Sequence, residues 1–148
     1  MTGKPSLVGR TLPVSEPPSE APFPLGAIAV LNRDLMFGVR IGNQLRSLGY
    51  TVSFAPDTVR FVNSVRNAEP APILGIVDMN AGVDWPTVAE LMGDPDITTP
   101  LLVFGPHLDV ENRRAAKAAG VTRLVSNGDF HRDMIALVRR YARAAGPN

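Results

Sequence analysis

From residue 27 onward, short runs of branched apolar residues alternate with stretches in which apolar residues return every three or four positions. The first pattern suits strands and the second helices with one apolar stripe, so their alternation predicts parallel strands joined by crossover helices. Strands are expected at Ala27 to Leu31, Thr51 to Ala55, Ile73 to Val77, Leu101 to Phe104 and Arg123 to Ser126, each short and apolar enough to be covered on both faces. Phe37, Ile41, Leu45 and Leu48 share one face of the first helix, and Gly49 suits the left-handed cap that ends it. Asp57 is placed to cap the helix carrying Val62 and Val65, Pro86 falls in the first turn of the one carrying Val88, Leu91 and Met92, and Gly120 stops the alanine-rich fourth. Asp129 is expected to cap the last helix, where Met134, Leu137, Val138 and Tyr141 fall at i, i+3, i+4 and i+7.

Ahead of this pattern, residues 1–24 hold six of the fourteen prolines and few large side chains to offset the entropy of ordering. Residues 1–25 are therefore expected to be a flexible proline-rich extension, 26–144 the folded domain and 145–148 a tail. The extension reads as a tether, a polyproline ligand or an ordinary disordered terminus.

Composition narrows the function classes. With 148 residues, 45% apolar and 20% charged, one globular domain is expected. A net charge of +1 gives nucleic acid or anionic membrane little general attraction, and neither is expected as a partner. Zero cysteines exclude disulfides, thiolate zinc sites and cysteine nucleophiles. No apolar run approaches the roughly 18 residues of a spanning helix, and no signal-peptide core is present, so a cytoplasmic location is expected. Charge is unevenly spread. Residues 67–106 carry six acids and no Lys or Arg, whereas 107–143 carry eight basic residues against four acids. Arg113, Arg114 and Lys117 on the fourth helix and Arg139 and Arg140 on the fifth read either as a solvated face or as a docking face for an acidic partner or a second copy.

In an open parallel sheet, ligands bind outside the carboxyl ends of the strands. The chain delivers Asn32, Arg33 and Asp34 there after the first strand, Asp78 and Asn80 after the third, Gly105 and His107 after the fourth, and Asn127 after the fifth. Asp78 closes the apolar run Ile73-Leu74-Gly75-Ile76-Val77, where burial raises a carboxylate's pKa unless a cation compensates. Arg33 is the expected cation. The pair reads as a lid on the sheet, or Asp78 as an acceptor or ligand. His107 is a candidate partner for Asp78, and His131 is expected on the surface. No G-x-S-x-G elbow, P-loop or G-x-G-x-x-G turn occurs, which disfavours hydrolase and nucleotide readings.

From about Ala27 to Arg143 the chain resembles a receiver domain of the bacterial response regulators. Ile76-Val77-Asp78-Met79-Asn80-Ala81-Gly82-Val83-Asp84 is similar to the phosphoacceptor segment, with Asp78 at the acceptor aspartate. Arg46-Ser47-Leu48-Gly49-Tyr50 and Ala118-Ala119-Gly120-Val121 are further landmarks. The resemblance implies a flavodoxin-like (βα)5 three-layer α/β sandwich with strand order 2-1-3-4-5.

The departures concern chemistry. Where the family has an acidic pair that holds magnesium, this chain has Asn32 and Arg33, with Asp34 one position late. Gly105 replaces a Ser or Thr, Asn127 a lysine and Leu124 the switch aromatic; the Met-Pro step after the acceptor is missing and its loop is one residue shorter. Phosphoryl transfer to a carboxylate needs cations on the transferring oxygens. The expected function is therefore a stand-alone, non-enzymatic pseudo-receiver acting by protein–protein interaction without normal magnesium-dependent phosphorylation. No cofactor or metal is expected, unless the register slips to bring Asp34 and Asp78 onto magnesium. The partner is expected to be a histidine kinase, a downstream effector or a second copy met through the last two helices. The alternatives are a phosphorelay acceptor using Asp78 and a small-molecule sensor or enzyme using Asp78, Arg33 and His107.

Overall fold

The computed structural model describes residues 24–143. The sequence expectations for the proline-rich extension, save its last two residues, and for the tail lie outside the described residues. Strands β1 (Gly26–Leu31), β2 (Tyr50–Ala55), β3 (Leu74–Asp78), β4 (Leu101–Gly105) and β5 (Arg123–Ser126) alternate with helices α1 (Leu35–Ser47), α2 (Thr58–Asn67), α3 (Trp85–Gly93), α4 (Val110–Ala118) and α5 (Asn127–Tyr141). All neighbouring strands pair in parallel, and the sheet runs β2-β1-β3-β4-β5. This is the flavodoxin-like sandwich and the strand order expected.

Two apolar cores flank the sheet. Phe37, Ile41 and Leu45 of α1 and Phe130, Met134 and Val138 of α5 pack on one face; Phe61, Val62 and Val65 of α2, Val88 and Leu91 of α3 and Ala116 of α4 pack on the other. Alternate residues of β1 divide between them: Ile28 and Val30 face the first core, Ala29 and Leu31 the second. β3 and β4 are buried throughout. The expectation of two-sided burial fails for β2 and β5, whose central residues are largely exposed or half-buried, because this order places both at the sheet edges.

Local capping follows the sequence at most ends. Asp57 accepts the Arg60 N–H at 2.9 Å and starts α2. Gly49 and Gly120 end α1 and α4 with φ of +105° and +86°. The last helix corrects the sequence reading. Its cap is Ser126, whose Oγ accepts the Asp129 N–H at 3.1 Å, so Asp129 is the third helical residue. Ser126 and Asp129 both suit a helix start, and their three-residue spacing lets serine cap while aspartate meets the positive end of the helix dipole. α5 thus begins directly at the end of β5, and Asn127 and Gly128 form its first turn rather than a loop. Asp133 leaves helical geometry at φ −116°, ψ 20°, and breaks α5 in two.

Candidate functional site

The carboxyl edge of β3 carries the site. Asp78 pairs in register with Phe104 of β4, and Val77 with Leu31 of β1, so Asp78 ends a strand walled on both sides. It is 7% exposed. Its Oδ1 accepts the Asn80 N–H at 2.9 Å and caps a single 3-10 turn, Met79–Ala81. Burial pushes the Asp78 carboxyl above its ordinary range; the Asn80 N–H opposes this, the Asp34 charge adds to it and His131 offsets part of it.

A polar cavity of about 240 Å³ opens over Asp78, lined by Asp34, Phe37, Arg40, Asp78, Asn80, Phe104, Asn127 and His131. Four sequence candidates therefore meet here: Asp34, Asp78, Asn80 and Asn127. Asp34 caps α1 by accepting the Phe37 N–H at 3.1 Å. Asn32 exchanges two bonds with the Asp34 main chain, at 2.8 and 3.1 Å, and lies outside the cavity.

Arg33 corrects the sequence reading. It makes no ion pair with Asp78; its guanidinium turns towards Gly82, where a Cβ would come within 3.0 Å of Nη1. The loop after a strand sends successive side chains to different sides, and the open space over Gly82 receives this one. His107 is likewise outside the Asp78 cavity and lines a separate one with Pro106, Leu108 and Ser126. The Arg33, Asp78 and His107 constellation does not assemble.

Arg40, His131, Phe37 and Phe104 were not foreseen at the site. Arg40 Cζ lies 6.0 Å from the Phe37 ring centroid, and the His131 ring meets Phe37 edge-on at 4.9 Å. Phe104 and Phe130 stack at 4.1 Å with 8° between planes. His131 is exposed, as the sequence suggests, yet it borders the cavity because α5 starts three residues earlier than an Asp129 cap would allow. The serine at 126 was the available signal for that start.

Gly105 stands against Met79. A Cβ there would lie 2.5 Å from Met79 Sδ and 2.7 Å from Met79 Cβ. Met79, 2% exposed, therefore fills the space that a larger residue after β4 would need. Asn127 sits at the α5 N-terminus and borders both the Asp78 and His107 cavities.

The resemblance to receiver domains implies magnesium, and the donor set, two carboxylates beside an arginine, suits it poorly. Among the described residues no three acidic or histidine side chains converge on one point. Asp34 and Asp78 each commit one oxygen to a backbone N–H, while Arg40 and His131 line the same cavity. Magnesium takes one or two carboxylates and completes its octahedron with water; here the two carboxylates share their cavity with the Arg40 guanidinium, a fixed cation that competes for the same oxygens.

Asp78→Asn is expected to raise stability at neutral pH. Between the ordinary carboxylate value near 3.8 and its raised native value, Asp78 holds a proton more often in the folded than in the unfolded chain. Stability therefore falls as pH rises through that window, and the cost persists above it. The asparagine Oδ1 keeps the bond from Asn80 and removes the buried charge. A melting temperature raised by a few degrees at pH 7, with the gain shrinking as pH approaches 4, is the outcome read by thermal denaturation. A lower melting temperature at pH 7 would refute it.

A scan against family models finds no match, and a search of curated proteins finds none either. Solved structures do match. Full-length FixJ from B. japonicum superposes with a TM-score of 0.66 at 18% identity over 80% of this chain, which spans 58% of that protein. CheY4 of Vibrio cholerae, a chemotaxis protein, gives 0.66 at 17% identity, covering 79% of this chain and 98% of that one. The receiver domain of the Pseudomonas aeruginosa sensor histidine kinase PA1611, solved with magnesium in its active-site cleft, gives 0.67 at 17% identity, covering 78% and 96%. Sheet order, crossover pattern and these likenesses agree: the chain has the fold of a response-regulator receiver domain.

Proposed function

We propose that this chain is a pseudo-receiver: a signalling module, not an enzyme, that works through protein contacts in the cytoplasm without magnesium-dependent phosphorylation. The carrying observation is the composition of the Asp78 cavity. Its positive group is the Arg40 side chain, the His131 ring lies beside it, and Met79 occupies the space beside Gly105. A guanidinium offers charge with fixed directions and no vacant coordination positions for a transferring phosphoryl group and water. The absence of a hydroxyl at Gly105 and of an ammonium at Asn127 removes two groups that would register a phosphoryl on Asp78.

Output runs through the β5 edge of the sheet. Arg113, Arg114 and Lys117 lie on α4 and Arg139 and Arg140 on α5, helices of opposite faces that flank this edge. Arg114, Lys117, Arg139 and Arg140 are exposed, and Arg113 is half-buried. Such a rim fits an acidic surface of a kinase, an effector or a second copy.

The test is incubation of the full chain with acetyl phosphate and Mg²⁺, read by intact mass. No added phosphoryl group is expected. An added phosphoryl that disappears in Asp78→Ala would overturn the reading and make the chain a true acceptor.

A further inference from the structure

A groove of about 600 Å³ runs between α1 and the edge strand β2 and shares only Asp34 with the cavity over Asp78. Leu35 and Val39 on α1, Phe54 on β2 and Pro56 just beyond it give the groove apolar walls. Phe54 remains 40% exposed and Leu35 80%. Gly38 and Gly42, one helical turn apart, line the α1 side. A Cβ on Gly38 would lie 3.5 Å from the Phe54 ring; one on Gly42 would lie 3.3 Å from that ring and 2.9 Å from Arg46 Nη1. Glycine weakens a helix interior, and here it gives an aromatic ring and a guanidinium room to lie against bare helix backbone.

Charge distinguishes the two ends. At one, Arg46 Nη2 donates to the Val52 carbonyl at 3.4 Å while Nη1 rests over Gly42, so the guanidinium is held beside Phe54. Arg46 makes no ion pair among the described residues. At the other end stand Arg33 and Asp34, near the level of Pro56 because Leu31 registers with Ala55. Arg33 turns its guanidinium to Gly82, and Asp34 keeps a carboxylate at that rim. The Arg46 end therefore attracts an anion and the far end does not. Val52 and Pro56 are four residues apart, which sets about 13 Å between the ends at the usual strand rise.

We propose that the groove binds a small organic carboxylate with an apolar tail, its head on Arg46 and its tail laid along Phe54 towards Leu35. The single outward cation asks for one anionic group, and the walls ask for an apolar body about as long as the groove. Only one hydrogen bond, to the Val52 carbonyl, occupies the guanidinium, which leaves its other donors for a carboxylate. The reverse orientation would bring the ligand's carboxylate against Asp34. The volume falls within the range of about 300–1,000 Å³ typical of small-molecule pockets, and the walls belong to one helix and one strand of the same sheet layer, so the site is formed before the ligand arrives.

The test is a nitrogen-15 titration of the full chain with decanoate, and with decanol as the same tail without the charge. Decanoate is expected to give saturable shifts at the Val39, Asn43, Arg46 and Phe54 amides, and decanol to bind about tenfold more weakly or worse. Arg46→Gln, at an exposed position, should weaken decanoate about tenfold and leave decanol unchanged. Arg123→Gln, exposed on the opposite edge strand β5, should change neither. No saturable shift at the four amides, decanol binding as tightly as decanoate, or equal losses from the two arginine variants would overturn the proposal. Shifts of the same amides on raising protein concentration alone would also overturn it and give the groove to a second copy.

Discussion

Gly105→Thr, which installs the hydroxyl that receiver domains carry after the fourth strand, is expected to destabilise the protein by about 3 kcal/mol. The new Cβ would lie 2.7 Å from the Cβ of Met79, and no rotamer of either side chain relieves a contact between two Cβ atoms. The backbone must move instead. Met79 begins the turn that Asp78 caps, so the displacement reaches the site carboxylate directly. Met79→Ala by itself empties a buried position and should cost about 2–5 kcal/mol. Combined, the two changes should lose about 1 kcal/mol less than their sum, because the truncation clears the Sδ and Cγ contacts of the new side chain and leaves only the Cβ contact for the backbone to relieve. Urea unfolding of the four proteins measures that coupling. Strict additivity, or a Gly105→Thr protein as stable as its parent, would mean that Met79 does not hold the hydroxyl's place.

Phe130→Ala is expected to cost about 3–5 kcal/mol, a melting temperature lower by roughly 10 °C or more. Phe130 is fully buried, stacked on Phe104 and tilted against Phe37 with ring centroids 6.2 Å apart. Most of the loss is vacated volume, and about 0.5–1.5 kcal/mol belongs to ring geometry. Phe130→Leu separates the two contributions, keeping most of the volume and losing the stacking, at a cost of about 1.5 kcal/mol. Phe104 also lines the Asp78 cavity, so the alanine variant should shift the His131 ring resonances as well. Unfolding midpoints within a degree of the parent would show that the aromatic wall carries no structural weight.

These expectations mark where sequence sufficed. Gly49, Gly120, Asp57 and Pro86 act through their own backbone or their next few neighbours, and each stands where a local reading puts it. The runs ending at Val77 and Phe104 are so uniformly apolar that only central strands accommodate them. Asp78 followed, because the residue closing a central strand sits at the sheet rim. What escaped was direction. Arg33 is adjacent in sequence to the site yet leans to Gly82, a choice decided by space across the fold. His131 reaches the cavity because of a helix start that two residues, Ser126 and Asp129, were equally fit to define. Edge exposure of β2 and β5 depends on sheet order, which no single strand encodes.

The break at Asp133 divides the labour of α5. Phe130 and His131 lie on its early segment, and Arg139 and Arg140 on its later one. An unbroken rod would hand any rotation at one end to the other; a kink lets the two lengths answer to different neighbours. Were the partner proposed above held by Arg139 and Arg140, the kink would stand between that contact and the aromatic wall beside the carboxylate.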